Sequence, residues 1–147
     1  MGLLDAIRSG TYVPDGAGSP PPEPCPSTSI AEVADRAAAG EPVLPLVRDL
    51  IDQAQRADSE TLARMLADAP ARTGDERADA LLAGIAEYLA VDRGLTGLAW
   101  TREPVLVLDR FWFVSEVRGF RAIAISQTPI ALKRRGILWP RRSLGRV

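Results

Sequence analysis

A mainly α-helical domain of five or six helices, with at most one short β segment near residues 105–113, is the fold class that the 147-residue sequence predicts. Three observations support this prediction. Apolar residues recur at intervals of three and four along most of the chain after residue 29. Serine, threonine or aspartate stands before these stripes, where its side chain can cap a helix. Glycine or proline follows most of them, as is typical where helices end.

The first three predicted helices cover residues 29–39, 42–56 and about 59–69. Ser29 and Glu32 have the spacing of a capping box, in which two side chains satisfy two free amide groups at a helix start. Gly40 follows as a stop. The second helix is predicted from one apolar stripe, which consists of Val43, Val47, Leu50, Ile51 and Ala54. Asp58 or Ser59 can cap the third.

The longest predicted helix covers about residues 74–92, with a second capping box formed by Thr73 and Glu76. Its apolar face consists of Leu81, Leu82, Ile85, Tyr88 and Leu89. Three acidic residues, Asp75, Glu76 and Asp79, fall in its first turn. The helix dipole favours negative charge there, so capping is the preferred interpretation over a metal site.

Residues 105–113 are predicted to form a short strand or an irregular apolar connection. The run Phe111–Phe113 favours core filling, with a hydrophobic patch for a partner as the alternative. A further helix is predicted over residues 115–126, with its inward face formed by Val117, Phe120, Ile123 and Ala124. A short helix over residues 129–135, which ends at Gly136, completes the predicted elements.

The N-terminal 28 residues are predicted to lie apart from this domain. Residues 1–13 form a short peptide, and residues 14–28 a proline-rich linker with six prolines, partly of polyproline II type. A frayed end is preferred over a peptide that folds onto a partner. Residues 29–147 are then the helical interaction domain.

The composition argues against most enzyme classes. The chain has no histidine, which is the usual general base and the commonest transition-metal ligand. Its one cysteine, Cys25, permits no intrachain disulfide and no cysteine-ligated zinc site. Acid pairs such as Asp75/Asp79 and Glu103/Asp109 remain the available acid/base groups. We therefore expect no catalytic residue, cofactor or metal. No secretory signal or membrane span is apparent, so the expected location is cytoplasmic.

Charge is distributed unevenly along the chain. Residues 101–147 carry ten basic and three acidic side chains, whereas residues 1–100 carry eight basic and sixteen acidic ones. The strongest local feature is a basic cluster with one tryptophan near the C-terminus. The predicted partner-binding residues are Trp112, Arg134, Arg135, Trp139, Arg141 and Arg142. Three interpretations stay open: a solvated helix end that complements the acidic residues, a protein-binding surface, or a nucleic-acid-binding surface.

From Ile30 to Val147 the sequence resembles a group of small actinobacterial-type proteins. The resemblance is carried by the phrases AEVADRAAAGEPVLPLVRDLID, ARTGDERADALLAGIAEYLA, LAWTREP, DRFWFVSEVRGFRAIAI and TPIALKRRGILWPRRSLGRV. In that group the module often follows a helix-turn-helix domain and is similar to antitoxin-type partners of nucleotidyltransferase-like toxins. The resemblance supplies no catalytic residue, and residues 1–28 do not match a helix-turn-helix reader.

The expected function is therefore that of a non-catalytic protein-binding module, antitoxin-like or an accessory regulator of a partner enzyme. The resemblance makes a nucleotidyltransferase-like toxin a possible partner. The alternative is a nucleic-acid-binding protein that uses the basic C-terminal cluster.

Overall fold

The computed structural model describes residues 27–145 and is mainly helical, as predicted. Within this range there are six α-helices. They are α1 (Ile30–Ala38), α2 (Val43–Arg56), α3 (Ser59–Ala67), α4 (Glu76–Asp92), α5 (Arg121–Gln127) and α6 (Ile130–Lys133). Short 3-10 turns occupy Ala99–Arg102, Pro104–Leu106, Arg118–Phe120 and Arg141–Ser143.

Side-chain caps define the starts of three of these helices. Ser29 accepts a hydrogen bond from the amide of Glu32 at α1, and Asp58 accepts one from Thr61 at α3. The predicted Thr73 cap of α4 is wrong. Asp75 is the N-cap there, while the amide and hydroxyl of Thr73 both donate to Asp79 Oδ1, at 2.9 and 2.8 Å.

Helix α4 forms the centre of the domain. Residues 80–86 are all buried, so this segment is surrounded by protein on every side. Helices α1, α2 and α3 pack against α4, and α6 packs against it as well. At the α4–α6 contact, a Cβ atom added to Gly84 would lie 2.5 Å from Leu132 Cδ2. The absence of a side chain at Gly84 thus permits the close approach of the two helices.

The β structure is one pair of two-residue parallel strands, β1 (Trp112–Phe113) and β2 (Ile137–Leu138). The amide of Trp112 donates to Gly136 O at 2.7 Å, and that of Val114 donates to Leu138 O at 3.2 Å. Strand β1 lies at the end of the predicted β segment. Its partner β2 lies in the C-terminal region, where no element had been predicted. The pair fixes the segment after α6 beside the segment before α5.

Two predicted helices are shorter in the structure. In the region of the helix predicted over residues 115–126, the 3-10 turn Arg118–Phe120 comes first, and α5 begins only at Arg121. The helix predicted over 129–135 is the single-turn α6, and Gly136 then adopts a φ of +81°, which favours glycine. This early stop allows the chain to enter β2.

Residues 1–26, 146 and 147 lie outside the described residues. The predicted peptide 1–13 and nearly all of the linker 14–28 therefore lie outside them too. Thr28 belongs to the described fold, because its amide donates to Gln53 Oε1 at 2.8 Å. Across the described range, no helix combines the length and apolarity that crossing a bilayer requires.

Candidate partner-binding surface

Arg135 is buried inside the domain rather than placed on its surface. Its side chain is 2% exposed and contacts Glu87, the carbonyl oxygen of Thr101 and, at 2.7 Å, that of Ala131. Burial lowers the pKa of the guanidinium, while the Glu87 carboxylate opposes this effect. Arg135 thus joins α4, α6 and the Ala99–Arg102 turn, and its side chain is not presented to a partner.

The two predicted tryptophans also pack inward. Trp139 is 2% exposed and belongs to the core, with the guanidinium of Arg48 over its ring at 5.8 Å. Trp112 is half-buried against the core, with Arg77 over its ring at 5.4 Å. Of the two predicted partner-binding tryptophans, only Trp112 has a side chain that is partly exposed.

Arg134 and Arg141 are exposed but face carboxylates of α4. Arg134 forms an ion pair of 2.6 Å with Glu87, which also binds Arg135. Arg141 lies 3.4 Å from Asp92 and 5.9 Å from the centre of the Tyr88 ring. These arginines complement acidic residues of the same chain, as one of the three interpretations expected.

Arg142, the last predicted residue, has a different environment. Neither Arg142 nor the exposed Arg121 forms an ion pair with any carboxylate of residues 27–145. The Arg142 guanidinium lies 5.9 Å from the centre of the Phe120 ring, and that of Arg121 lies 5.0 Å from the Phe113 ring. Each arginine is held over an aromatic face, and its charge remains available.

Three of these side chains, those of Phe113, Phe120 and Arg142, line an open cavity of about 370 Å³. Its walls are formed by Phe113, Ser115, Phe120, Ala124, Pro140 and Arg142, with Ser143 also in contact. We call this cavity, with Arg121 at its rim, the aromatic–arginine groove. Strand β1 supplies Phe113, the turn before α5 supplies Phe120, and the turn after β2 supplies Arg142. The β1–β2 pair therefore brings these parts of the chain together.

The surroundings of the groove are apolar and basic. Phe120 is 46% exposed, and Val117 and Ile125 are exposed as well. Ile125 lies one helical turn after Arg121, hence on the same side of α5. No acidic residue occurs in the sequence from Val117 to Val147, and Glu116 is the nearest one before it. The groove therefore suits an acidic ligand that also carries apolar groups.

The structure corrects the predicted inward face of residues 115–126. Ala124 is buried and Ile123 is half-buried, but Phe120 and Val117 are exposed. Phe113, Phe120 and Arg121 are consequently absent from the predicted partner-binding residues. The sequence did contain one signal for these residues. The stretch without acidic residues starts at Val117, well before the basic cluster, and so includes Phe120 and Arg121.

Three of the four acidic residues considered as acid/base pairs have structural partners. Asp79 accepts two hydrogen bonds from Thr73, and Glu103 forms an ion pair of 2.5 Å with Arg72. Asp75 accepts the capping hydrogen bond from the amide of Arg77. Within residues 27–145, no group of three or more His, Cys, Asp or Glu side chains is arranged to hold a metal ion.

Comparisons of the chain with protein-family models, with curated proteins and with solved structures found no match.

Proposed function

We propose that the chain is a non-catalytic protein-binding module that regulates a partner enzyme in the manner of an antitoxin or an accessory subunit. The observation that carries this proposal is the aromatic–arginine groove. Two arginines that pair with no carboxylate of residues 27–145 are held over two partly accessible phenylalanine rings beside an open cavity. Aromatic residues and arginine are enriched where protein interfaces gain most of their binding energy.

We infer the chemistry of the partner's surface from the side chains that line the groove. A bulky apolar side chain fills a cavity walled by Phe113, Phe120 and Pro140, and its burial supplies the driving force. Carboxylates flanking that side chain accept hydrogen bonds from Arg121 and Arg142. Because stacking on the rings already restricts both guanidinium groups, less conformational entropy is lost on binding. We therefore propose an acidic protein surface with one apolar anchor as the partner.

The resemblance to antitoxin-type modules extends this proposal to the identity of the partner. On the basis of this resemblance, we propose that the partner is a nucleotidyltransferase-like toxin and that the complex forms in the cytoplasm. The binding surface then lies on the C-terminal third of the chain.

Nucleic-acid binding is the alternative function, and the ion pairs disfavour it. A protein gains affinity for phosphates by neutralising several of them with arginine or lysine. Three arginines of the predicted cluster, Arg134, Arg135 and Arg141, already face Glu87 or Asp92. The exposed apolar residues Val117 and Ile125 also have no role in phosphate contact.

Partner capture by two charge-reversal variants tests the proposal. The full chain carrying Arg121→Glu and Arg142→Glu is compared with one carrying Arg64→Glu and Arg102→Glu, which has the same net charge. Arg64 and Arg102 are exposed and lie outside the groove. Each chain is used for affinity purification from the native host, and the affinity for the copurified protein is then measured with both components pure.

The groove variant is expected to bind the partner at least about tenfold more weakly than wild type, since two interface arginines become repulsive. The control variant should bind as wild type does. Equal binding by the two variants would contradict the proposal. Capture that requires nucleic acid, with affinity falling steeply as salt rises, would favour the alternative function.

A further inference from the structure

A second cavity adjoins the aromatic–arginine groove. It has a volume of about 350 Å³ and is lined by Arg48, Asp52, Ser143, Leu144 and Gly145. Ser143 lines both cavities, so both lie against the segment that follows β2.

The described chain begins beside the second cavity. Thr28 exchanges two hydrogen bonds with the side chain of Gln53, of 2.8 and 3.2 Å. Gln53 directly follows Asp52 in α2, and Gly145 lies near the side chain of Gln55. The chain that precedes Ser27 therefore joins the described domain beside the second cavity.

Residues 14–26 have the composition that the groove suits. Their sequence, PDGAGSPPPEPCP, contains six prolines, two carboxylates in Asp15 and Glu23, and no basic residue. Proline-rich segments in polyproline II conformation dock on aromatic-lined grooves, because their conformation is largely fixed before binding. The charge of the two carboxylates is opposite to that of Arg121 and Arg142, neither of which forms an ion pair with a carboxylate of residues 27–145.

The segment is also long enough to reach the groove. Thirteen residues in polyproline II conformation extend ~40 Å at ~3.1 Å per residue. A folded domain of this size has a radius of gyration of about 13 Å. A peptide attached this closely has an effective local concentration in the millimolar range, so weak contacts suffice for occupancy.

We infer that the aromatic–arginine groove is a binding site for a proline-rich acidic peptide, and that residues 14–26 of the same chain occupy it. Prolines of the segment pack against Phe113 and Phe120, and its carboxylates pair with Arg121 and Arg142. One consequence rests on the proposed function. A partner that uses the groove must displace this segment, which lowers the partner's apparent affinity.

A spin label on the segment tests this inference in the full-length chain. Cys25 is the only cysteine, so Ser19→Cys in a Cys25→Ser background gives a single labelling site six residues further from the anchored Thr28. In the ¹⁵N-labelled protein, we expect the greatest loss of amide signal near residues 113–124 and at Arg142. Amides of α3, which does not line the groove, serve as the reference.

Arg121→Glu with Arg142→Glu should reduce the loss at the groove to the level seen at α3. Signal loss spread evenly over the surface, or unchanged by these substitutions, would overturn the inference. So would loss at the groove in a mixture of spin-labelled chain with separate ¹⁵N-labelled chain, because the occupant would then come from a second copy.

The two proposals fail in different ways. If the segment does not bind the groove but the groove variant still loses the partner, this inference is wrong and the proposed function stands. If the segment occupies the groove but the groove variant keeps its partner, the inference stands and the proposed function is wrong.

Discussion

Arg134 and Arg135 are neighbours that contact the same carboxylate, that of Glu87, in very different surroundings. The Arg134 side chain is 48% exposed, so water screens its interaction. Arg135 is buried, and it is also bonded to the carbonyl oxygens of Ala131 and Thr101. Removing Arg135 leaves Glu87 and two carbonyl oxygens without its hydrogen bonds in the interior.

We predict that Arg135→Ala lowers the free energy of unfolding by about 3–5 kcal/mol, the range for breaking one side of a buried ion pair. Arg134→Ala should cost only about 0–1 kcal/mol, as for other exposed pairs. Urea denaturation of both variants measures the difference. Similar losses would show that the burial of Arg135 does not determine its contribution.

Sequence position alone does not distinguish these two arginines. Both stand in the run Lys133–Arg135, in the last turn of the helix predicted over residues 129–135, where the helix dipole favours positive charge. What separates them is contact with Glu87 and Thr101, which lie far away in the sequence. The same holds for Phe120, whose helical spacing predicted an inward position and whose side chain is accessible. In both cases, packing between residues that are far apart in the sequence determines whether the side chain is buried or exposed.

At the scale of elements, the contact between α4 and α6 depends on one small residue. Gly84 lies in the buried middle of α4, and a Cβ there would meet Leu132, which is itself fully buried. Leu132 has little space into which to move, because protein interiors are close-packed.

We predict that Gly84→Ala destabilises the domain by up to about 2 kcal/mol. Overpacking costs about 1–3 kcal/mol, and the better helix propensity of alanine offsets about 1 kcal/mol of it. Gly119→Ala is the matched control, because a Cβ at Gly119 meets no atom within 4 Å. Its expected effect is within about 0.5 kcal/mol. Denaturant midpoints compare the two variants, and a stabilising effect of Gly84→Ala would contradict the close approach.

Helices α1 to α4 were predicted to within two residues at each end, because caps and apolar stripes are local signals. The region from Ala99 to Ser143 was less predictable. Its 3-10 turns are short, and its two strands have two residues each. Such elements have little intrinsic stability and depend on tertiary contacts. The groove is built from these elements, so its shape could not be predicted from periodicity.

At the scale of the whole molecule, the excess of basic residues in the C-terminal third is only partly neutralised by carboxylates of the described residues. Part of it is neutralised internally, where Glu87 and Asp92 of α4 face Arg134, Arg135 and Arg141. Arg121 and Arg142, beside the groove, form no ion pair with a carboxylate of residues 27–145. Contact with acidic residues of the same chain is thus shown for Arg134, Arg135 and Arg141, whereas a protein-binding use of Arg121 and Arg142 is what we propose.

Site-specific photocrosslinking is the most direct test of the proposal that a partner protein contacts the aromatic–arginine groove. A benzophenone-bearing residue replaces Phe120 in one full-length chain and the exposed Ala63 of α3 in another. We predict a covalent adduct with the purified partner from position 120 and none from position 63. An adduct from position 63, or a bound partner that gives no adduct at position 120, would contradict the account.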